Sequence, residues 1–132
     1  MIEEAIIQRL LATSEVIAIV GTRVFPGSKP QAAALPAIVF NKISGAPLYD
    51  DKGEVGLDEE RLQIDCWAET YTAAKALSRA VRASLSAYFG TSEGVESLYC
   101  ALDMERDLRE GGANAAEYLY RTSMDFLILN RS

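Results

Sequence analysis

The chain contains no histidine. That absence removes the Ser–His and Cys–His nucleophile systems, the usual zinc ligand sets and the commonest general base. Cysteine is scarce too: Cys66 and Cys100 are the only two. Both fall at apolar-face positions of expected strands, so they read as buried reduced thiols that act as small hydrophobes. No apolar run approaches the roughly 18 residues of a membrane span. The start, Met1-Ile2-Glu3-Glu4, is acidic and no long apolar core follows, which argues against a secretory signal. Positive charge is also short. Lys and Arg number 13 against 19 Asp and Glu, a net charge of −6. A free-standing nucleic-acid binder needs a basic footprint; this balance argues against one, although it leaves room for a local basic strip.

What is present suits an ordinary globular fold. With 132 residues, 49% of them hydrophobic and 24% charged, the chain fits one domain spanning 1–132 and can support a core without staples. Apolar spacing from Ile2 to about Thr13 predicts a helix, with Glu3 and Glu4 in its first turn. Ser14 is placed to cap a short second helix that Gly21 ends. Thr22 to Phe25 reads as a short extended piece, and residues 27–36 as a surface loop. Ala37 to Ser44 reads as a strand apolar on both faces at its start. Residues 45–58 hold Gly45, Pro47, Gly53 and Gly56 among the acids Asp50, Asp51, Glu54 and Asp58, and read as a long, mobile hairpin connection.

The second strand, Glu59 to Ala68, alternates: Leu62, Ile64, Cys66 and Ala68 point one way, Arg61, Gln63, Asp65 and Trp67 the other. A helix is expected from about Thr72 to Phe89, capped by Thr70 or Thr72 and ended at Gly90. Two strands follow, Ser97 to Leu108 and Ala116 to Asn130, joined by a hairpin loop at 109–114. In the first, Leu98, Cys100, Leu102 and Met104 share one face and Asp103, Glu105 and Asp107 the other. The order helix, strands, helix, strands implies an α+β fold: an antiparallel sheet with helices packed on one face.

No motif carries a reaction. Asp65 could be a catalytic carboxylate, but beside Arg61 and Gln63 it reads better as solvated or ion-paired. The acids of 103–107 at period two fit no compact cation cage, and the 50–60 cluster lacks the calcium-loop pattern. Lys75, Arg79 and Arg82 make a basic stripe at helical spacing, read as a solvated face or a subunit contact with acids before a nucleic-acid contact. Trp67 sits opposite the apolar face of its strand, so it is covered by another element or used at an interface. The expectation is no enzyme and no cofactor or metal. Arg61, Trp67, Asp50, Asp51, Glu54, Arg79 and Arg82 are the candidate contact residues.

Several runs resemble a known family. They are Thr-Arg-Val-Phe-Pro-Gly (22–27), Pro-Gln-Ala-Ala-Ala-Leu-Pro (30–36) with Ala-Ile-Val-Phe (37–40), and Leu-Gln-Ile-Asp-Cys-Trp-Ala (62–68) followed by Tyr71 and an Ala/Arg-rich helix. The strand Tyr-Arg-x-x-x-Asp-Phe (120–126) joins them. Together they resemble the tail completion, or tail terminator, proteins of long-tailed bacteriophages, prophages and gene-transfer particles. The resemblance implies a virion structural protein that forms a homo-oligomeric ring, commonly of six subunits, on the head-proximal end of the tail tube. Such a ring stops tube polymerisation and meets the head–tail connector, and DNA passes through its lumen without specific binding. Assembly would occur in the host cytoplasm, without a membrane. An acidic lumen would let DNA phosphates pass without sticking. Two alternatives stay open at this stage: a small α+β enzyme or ligand-binding module with a carboxylate-lined pocket around Asp65 and Asp103, and a neighbouring head–tail connector component.

Overall fold

The structure is a computed structural model that describes residues 2–27, 34–86, 88–92, 95–110 and 119–131. In chain order the elements are α1 (Ile2–Leu11), α2 (Ser14–Val20), β1 (Val24–Pro26), β2 (Ala37–Asp50), β3 (Gly53–Ala68), α3 (Tyr71–Leu85), β4 (Phe89–Ser92), β5 (Val95–Glu110) and β6 (Leu119–Arg131). The strands form one six-stranded sheet in the order β1-β2-β3-β6-β5-β4. Every pairing is antiparallel except that of β1 with β2. The fold is therefore α+β, mostly antiparallel, with one parallel pair at an edge.

The core lies between the helices and one face of the sheet. Ile6 and Leu10 of α1, Val16 and Val20 of α2, and Leu77, Val81 and Leu85 of α3 pack on Ile38, Phe40, Leu62, Ile64, Cys66, Cys100, Met124, Phe126 and Ile128. Each fully buried Leu, Ile or Phe contributes about 1.5–3 kcal/mol of transfer free energy. Ala74, Ser78 and Ser84 are also buried on α3. These small residues let its axis lie close to the strands. Thr70 starts α3: its Oγ1 accepts a hydrogen bond from the Ala73 amide at 3.1 Å, satisfying one of the orphan donors of the first turn.

The corner between α1 and α2 follows the sequence reading, but its cap does not. Thr13, not Ser14, is the N-cap of α2, and its side chain makes no cap hydrogen bond. Its Oγ1 instead donates to the Arg9 carbonyl at 2.8 Å and pairs with Ser84 Oγ at 2.7 Å. Arg9 Nε donates to the Ser84 carbonyl, and its guanidinium lies 4.3 Å from the Tyr88 ring centre. A tertiary bond to α3 thus takes the hydroxyl that local chemistry would spend on the helix end. Gly21 ends α2 with φ +60, its amide donating to Ile17 O.

The expected end of the long helix is corrected. α3 stops at Leu85, and Phe89 belongs to β4, an edge strand paired with β5. Phe89 is 70% exposed, so no buried apolar contact holds it in helical register.

The larger correction concerns residues 45–58, expected to be a mobile loop. They are strand: β2 runs to Asp50, β3 begins at Gly53, and only Asp51 and Lys52 turn. Gly and acids disfavour a half-buried pleat, yet this ribbon is solvated, so the acids cost little. β1 covers β2 only as far as Phe40. Pro47 therefore sits on a sheet edge, where a missing amide donor is tolerated. Asp50 Oδ1 accepts from the Lys52 amide at 2.7 Å, closing the turn through a side chain. Gly53 and Gly56 take φ of +118 and +83, the first leaving the turn and the second in the irregular stretch opposite Leu48. β6 joins β3 only from Asp58 onward. Residues 46–57 thus form a two-stranded arm reaching about 15 Å past the rest of the sheet at ~3.3 Å per residue.

The strict alternation expected along β5 also fails. Leu102 pairs with Phe126 and Met104 with Asp125, leaving Asp103 as an extra residue in a bulge. The bulge exchanges the faces beyond it. Met104, expected in the core, is 49% exposed, while Glu105 and Asp107 turn to the helix side opposite Met124 and Thr122. A second bulge, at Ile43, separates the Lys42–Leu62 and Ser44–Arg61 pairings and leaves Ile43 half exposed. The expected loop at 109–114 is shortened, since Arg109 and Glu110 belong to β5. Residues 111–118, including Tyr118, lie outside the described residues.

Candidate contact surface

Strand alternation leaves one face of the sheet without helices. On it β3 presents Arg61, Gln63, Asp65 and Trp67, and β6 presents Arg121, Ser123, Asp125 and Leu127 directly opposite. Asp103, the extra residue of the β5 bulge, points its carboxylate to the same side, since it bridges Arg61. Arg61 bridges Asp103 at 2.9 Å through Nη2 and Asp125 at 3.2 Å through Nη1. Its guanidinium is held more firmly protonated by the hydrogen bond to Asp103, then by the charge of Asp103 and by Asp125. Gln63 Nε2 donates to Asp65 at 3.1 Å. Arg121 Nη1 lies 3.6 Å from Asp65 Oδ2, and its guanidinium stands 5.2 Å from the Trp67 ring centre. Asp65 is thus buried and ion-paired, one of the two roles the sequence left it.

Ser123 Oγ and Asp125 Oδ1 are among the side-chain atoms of this face that are buried without a hydrogen bond. Such atoms are uncommon and ask for an explanation. Next to them runs an exposed apolar row. Phe89 pairs with Tyr99, and Tyr99 with Leu129, so the three share the face. They are 70%, 41% and 37% exposed. An apolar centre beside fixed Arg–carboxylate pairs has the composition of a protein–protein contact patch.

The structure distributes the other candidate residues elsewhere. Asp50 and Asp51 lie at the tip of the arm, exposed, while the side chain of Glu54 lies outside the described residues. Arg79 and Arg82 are exposed on the outer side of α3. Lys75, in the same stripe, bridges Asp107 at 3.3 Å and Glu105 at 3.6 Å. Arg82 approaches Glu105 at 3.9 Å. The bulge explains these bridges, since without it the two acids would face away from α3. Arg61 and Trp67 therefore belong to one lattice, whereas the arm and the α3 arginines are two separate places. Sequence reasoning missed Arg121, Ser123 and Asp125 as partners of the Arg61 strand. The period-two polar positions of β6 were visible, but their register against β3 was not.

Other chemistry is thin among the described residues. No group of three or more His, Cys, Asp or Glu is arranged to hold a metal ion. The Cys66 thiol is pushed up strongly, first by burial and then by Asp65 and Glu105. Cys100 is pushed up to about 12 by burial, against a small opposing effect of Arg9. Both thiols are therefore inert as nucleophiles. A depression of about 280 Å³ is lined by Arg9, Thr13, Glu15, Ala80, Ala83 and Ser84. A second of about 210 Å³ lies at the root of the arm, between Lys42 and Glu60. Neither is lined by Asp65 or Asp103.

The fold is that of a known particle component. It superposes on a chain from a solved structure described as "Virion of native gene transfer agent (GTA) particle", with TM-score 0.73 and 19% identity, covering 96% of this chain and 92% of that one. The family described as Tail completion protein gp17 matches residues 4–129, and the chain belongs to that family of tail-related virion structural proteins. No curated protein matches the sequence.

Proposed function

We propose that this chain acts as one domain and is the subunit of a ring on the head-proximal end of a tail tube. The ring ends tube polymerisation and offers the head–tail connector a docking surface, and DNA crosses its lumen without specific contacts. The observation that carries the reading is the family match, which runs along nearly the whole chain. The geometry is compatible with it. The helix-free face joins a partly buried ion-pair lattice to an exposed apolar row, and Arg61 and Trp67 lie inside that lattice. Its partner in this reading is a neighbouring subunit or the tube. The net charge of −6 per subunit makes a ring of several copies strongly acidic, which favours free passage of phosphate.

The test is electron microscopy of particles made with and without the protein. With it, tails of uniform length should end in an added ring at the head side, and a gold label on the chain should mark that end. Without it, tubes should overrun in length and fail to join heads. A label along the tube or at the distal tip would overturn the reading.

A further inference from the structure

Two elements of this molecule carry exposed charge of opposite sign, the β2–β3 arm and α3. The arm carries Asp50, Asp51 and Glu54 against a single Lys52. Asp51 forms no ion pair among the described residues, and Asp50 is engaged only with the Lys52 amide of its own turn. α3 carries Lys75, Arg79 and Arg82 and no acid at all. Lys75 is already engaged by Glu105 and Asp107. Arg79 is exposed and makes no ion pair among the described residues. The Arg82 side chain is 58% exposed and reaches Glu105 only at 3.9 Å. One turn of helix separates Arg79 from Arg82, so the two cations share a face.

An isolated two-stranded ribbon is marginal in water. This one projects beyond the sheet, with no third strand beside it among the described residues. Near its tip Tyr49 is 66% exposed, and at the start of α3 Tyr71 is 53% exposed. Each element therefore has unpaired charge of one sign and an exposed aromatic ring. Such a pair is complementary between molecules.

We infer that the outer face of α3 receives the β2–β3 arm of a second copy of this chain, with Arg79 and Arg82 facing Asp50 and Asp51. The contact is heterologous: each copy gives an arm and accepts one, so it propagates and closes into a ring where the rotation allows. The inference rests on the ring reading and names the surfaces by which the ring closes. Raised salt weakens an exposed contact of this kind.

Charge reversal tests it in the full chain on tail tubes, with circular dichroism confirming that every variant is folded. D50K/D51K should give at least tenfold fewer rings than wild type, because its arm and helix are both basic. R79E/R82E should fail equally, because both are acidic. An equimolar mixture of the two should recover rings in which the variants alternate, counted as equal numbers by native mass spectrometry. The quadruple variant, with both surfaces reversed, should assemble alone. Single-surface variants that form rings as wild type does would overturn the arm contact and leave the ring reading intact. So would a folded mixture and quadruple that both stay unassembled. Wild-type chains bound singly on tubes would overturn the ring reading and the contact together.

Discussion

Arg61 shows how much one side chain can organise. It holds two carboxylates of unequal exposure: the Asp103 side chain is 37% exposed and that of Asp125 only 12%. Exposed pairs are worth little, whereas a buried acid that loses its partner keeps its desolvation cost. Arg61→Met should therefore lower stability more than Asp103→Asn does, the latter costing under about 1 kcal/mol. Urea midpoints of the two variants check the ranking. Lys75 offers a pH test. Burial, the largest single influence, lowers its pKa, but the Asp107 hydrogen bond and the field of Glu105 and Asp107 together carry it above the usual 10.5. A base whose pKa is raised on folding stabilises fully below its unfolded pKa and loses that gain as pH climbs through the folded one. The melting-temperature gap between wild type and Lys75→Met should be constant from about pH 7 to 9.5 and shrink above about pH 10.5. A gap that varies near neutrality would contradict these bridges.

Among the elements, α3 is the keystone, spanning β3, β6 and β5 while bracing α1 and α2. Thr70→Ala should cost about 1 kcal/mol by removing its cap, read as a lower denaturation midpoint with an unchanged slope. The same scale shows what the sequence made legible. The α3 stripe, the alternation of Leu62, Ile64 and Cys66, and the break between α1 and α2 could all be read, because each pattern reports burial on one face. The arm could not. Pro47, Gly53 and Gly56 argue for a loop wherever a strand must be half buried, and only knowledge that this edge is open reverses that argument. The β5 bulge was hidden for a related reason. Met104 continues the apolar period of Cys100 and Leu102, and its displacement depends on bridges to Lys75 and Arg82 from another part of the chain. The contact surface suffered most, since Arg61 and Trp67 could be singled out on β3 while their partners on β6 depend on a register that no local pattern encodes.

Viewed whole, the molecule divides into a body with one core and an arm outside it. Among the described residues, none of 46–57 belongs to the buried cluster. Replacing 46–57 by a tight turn should leave the thermal midpoint of the isolated chain within a few degrees of wild type, yet prevent rings from forming on tubes. A large loss of stability would mean that the arm supports the body. Local stability should follow the same division. Arm amides should exchange with solvent far faster than those of β3 from Leu62 to Ala68, whose neighbours are strands on both sides. The full chain should also show no retention of duplex DNA at physiological salt, given its −6 charge.

The bulge at Asp103 carries a consequence for insertions and deletions. A strand is ordinarily the worst place to lose a residue, because every side chain beyond the cut changes face. Here the strand holds one residue more than its partner needs. Removing Asp103 should let Met104 follow Leu102 in ordinary register, with Glu105 still opposite Met124 and Asp107 still opposite Thr122. Only the bridge to Arg61 is lost. Removing Ala101 instead would drive Asp103 into the place of Leu102, against Phe126. The first deletion should fold with a modest drop in melting temperature and the second should not fold. β5 is thus a strand that should tolerate the loss of a residue at this one position without leaving the fold.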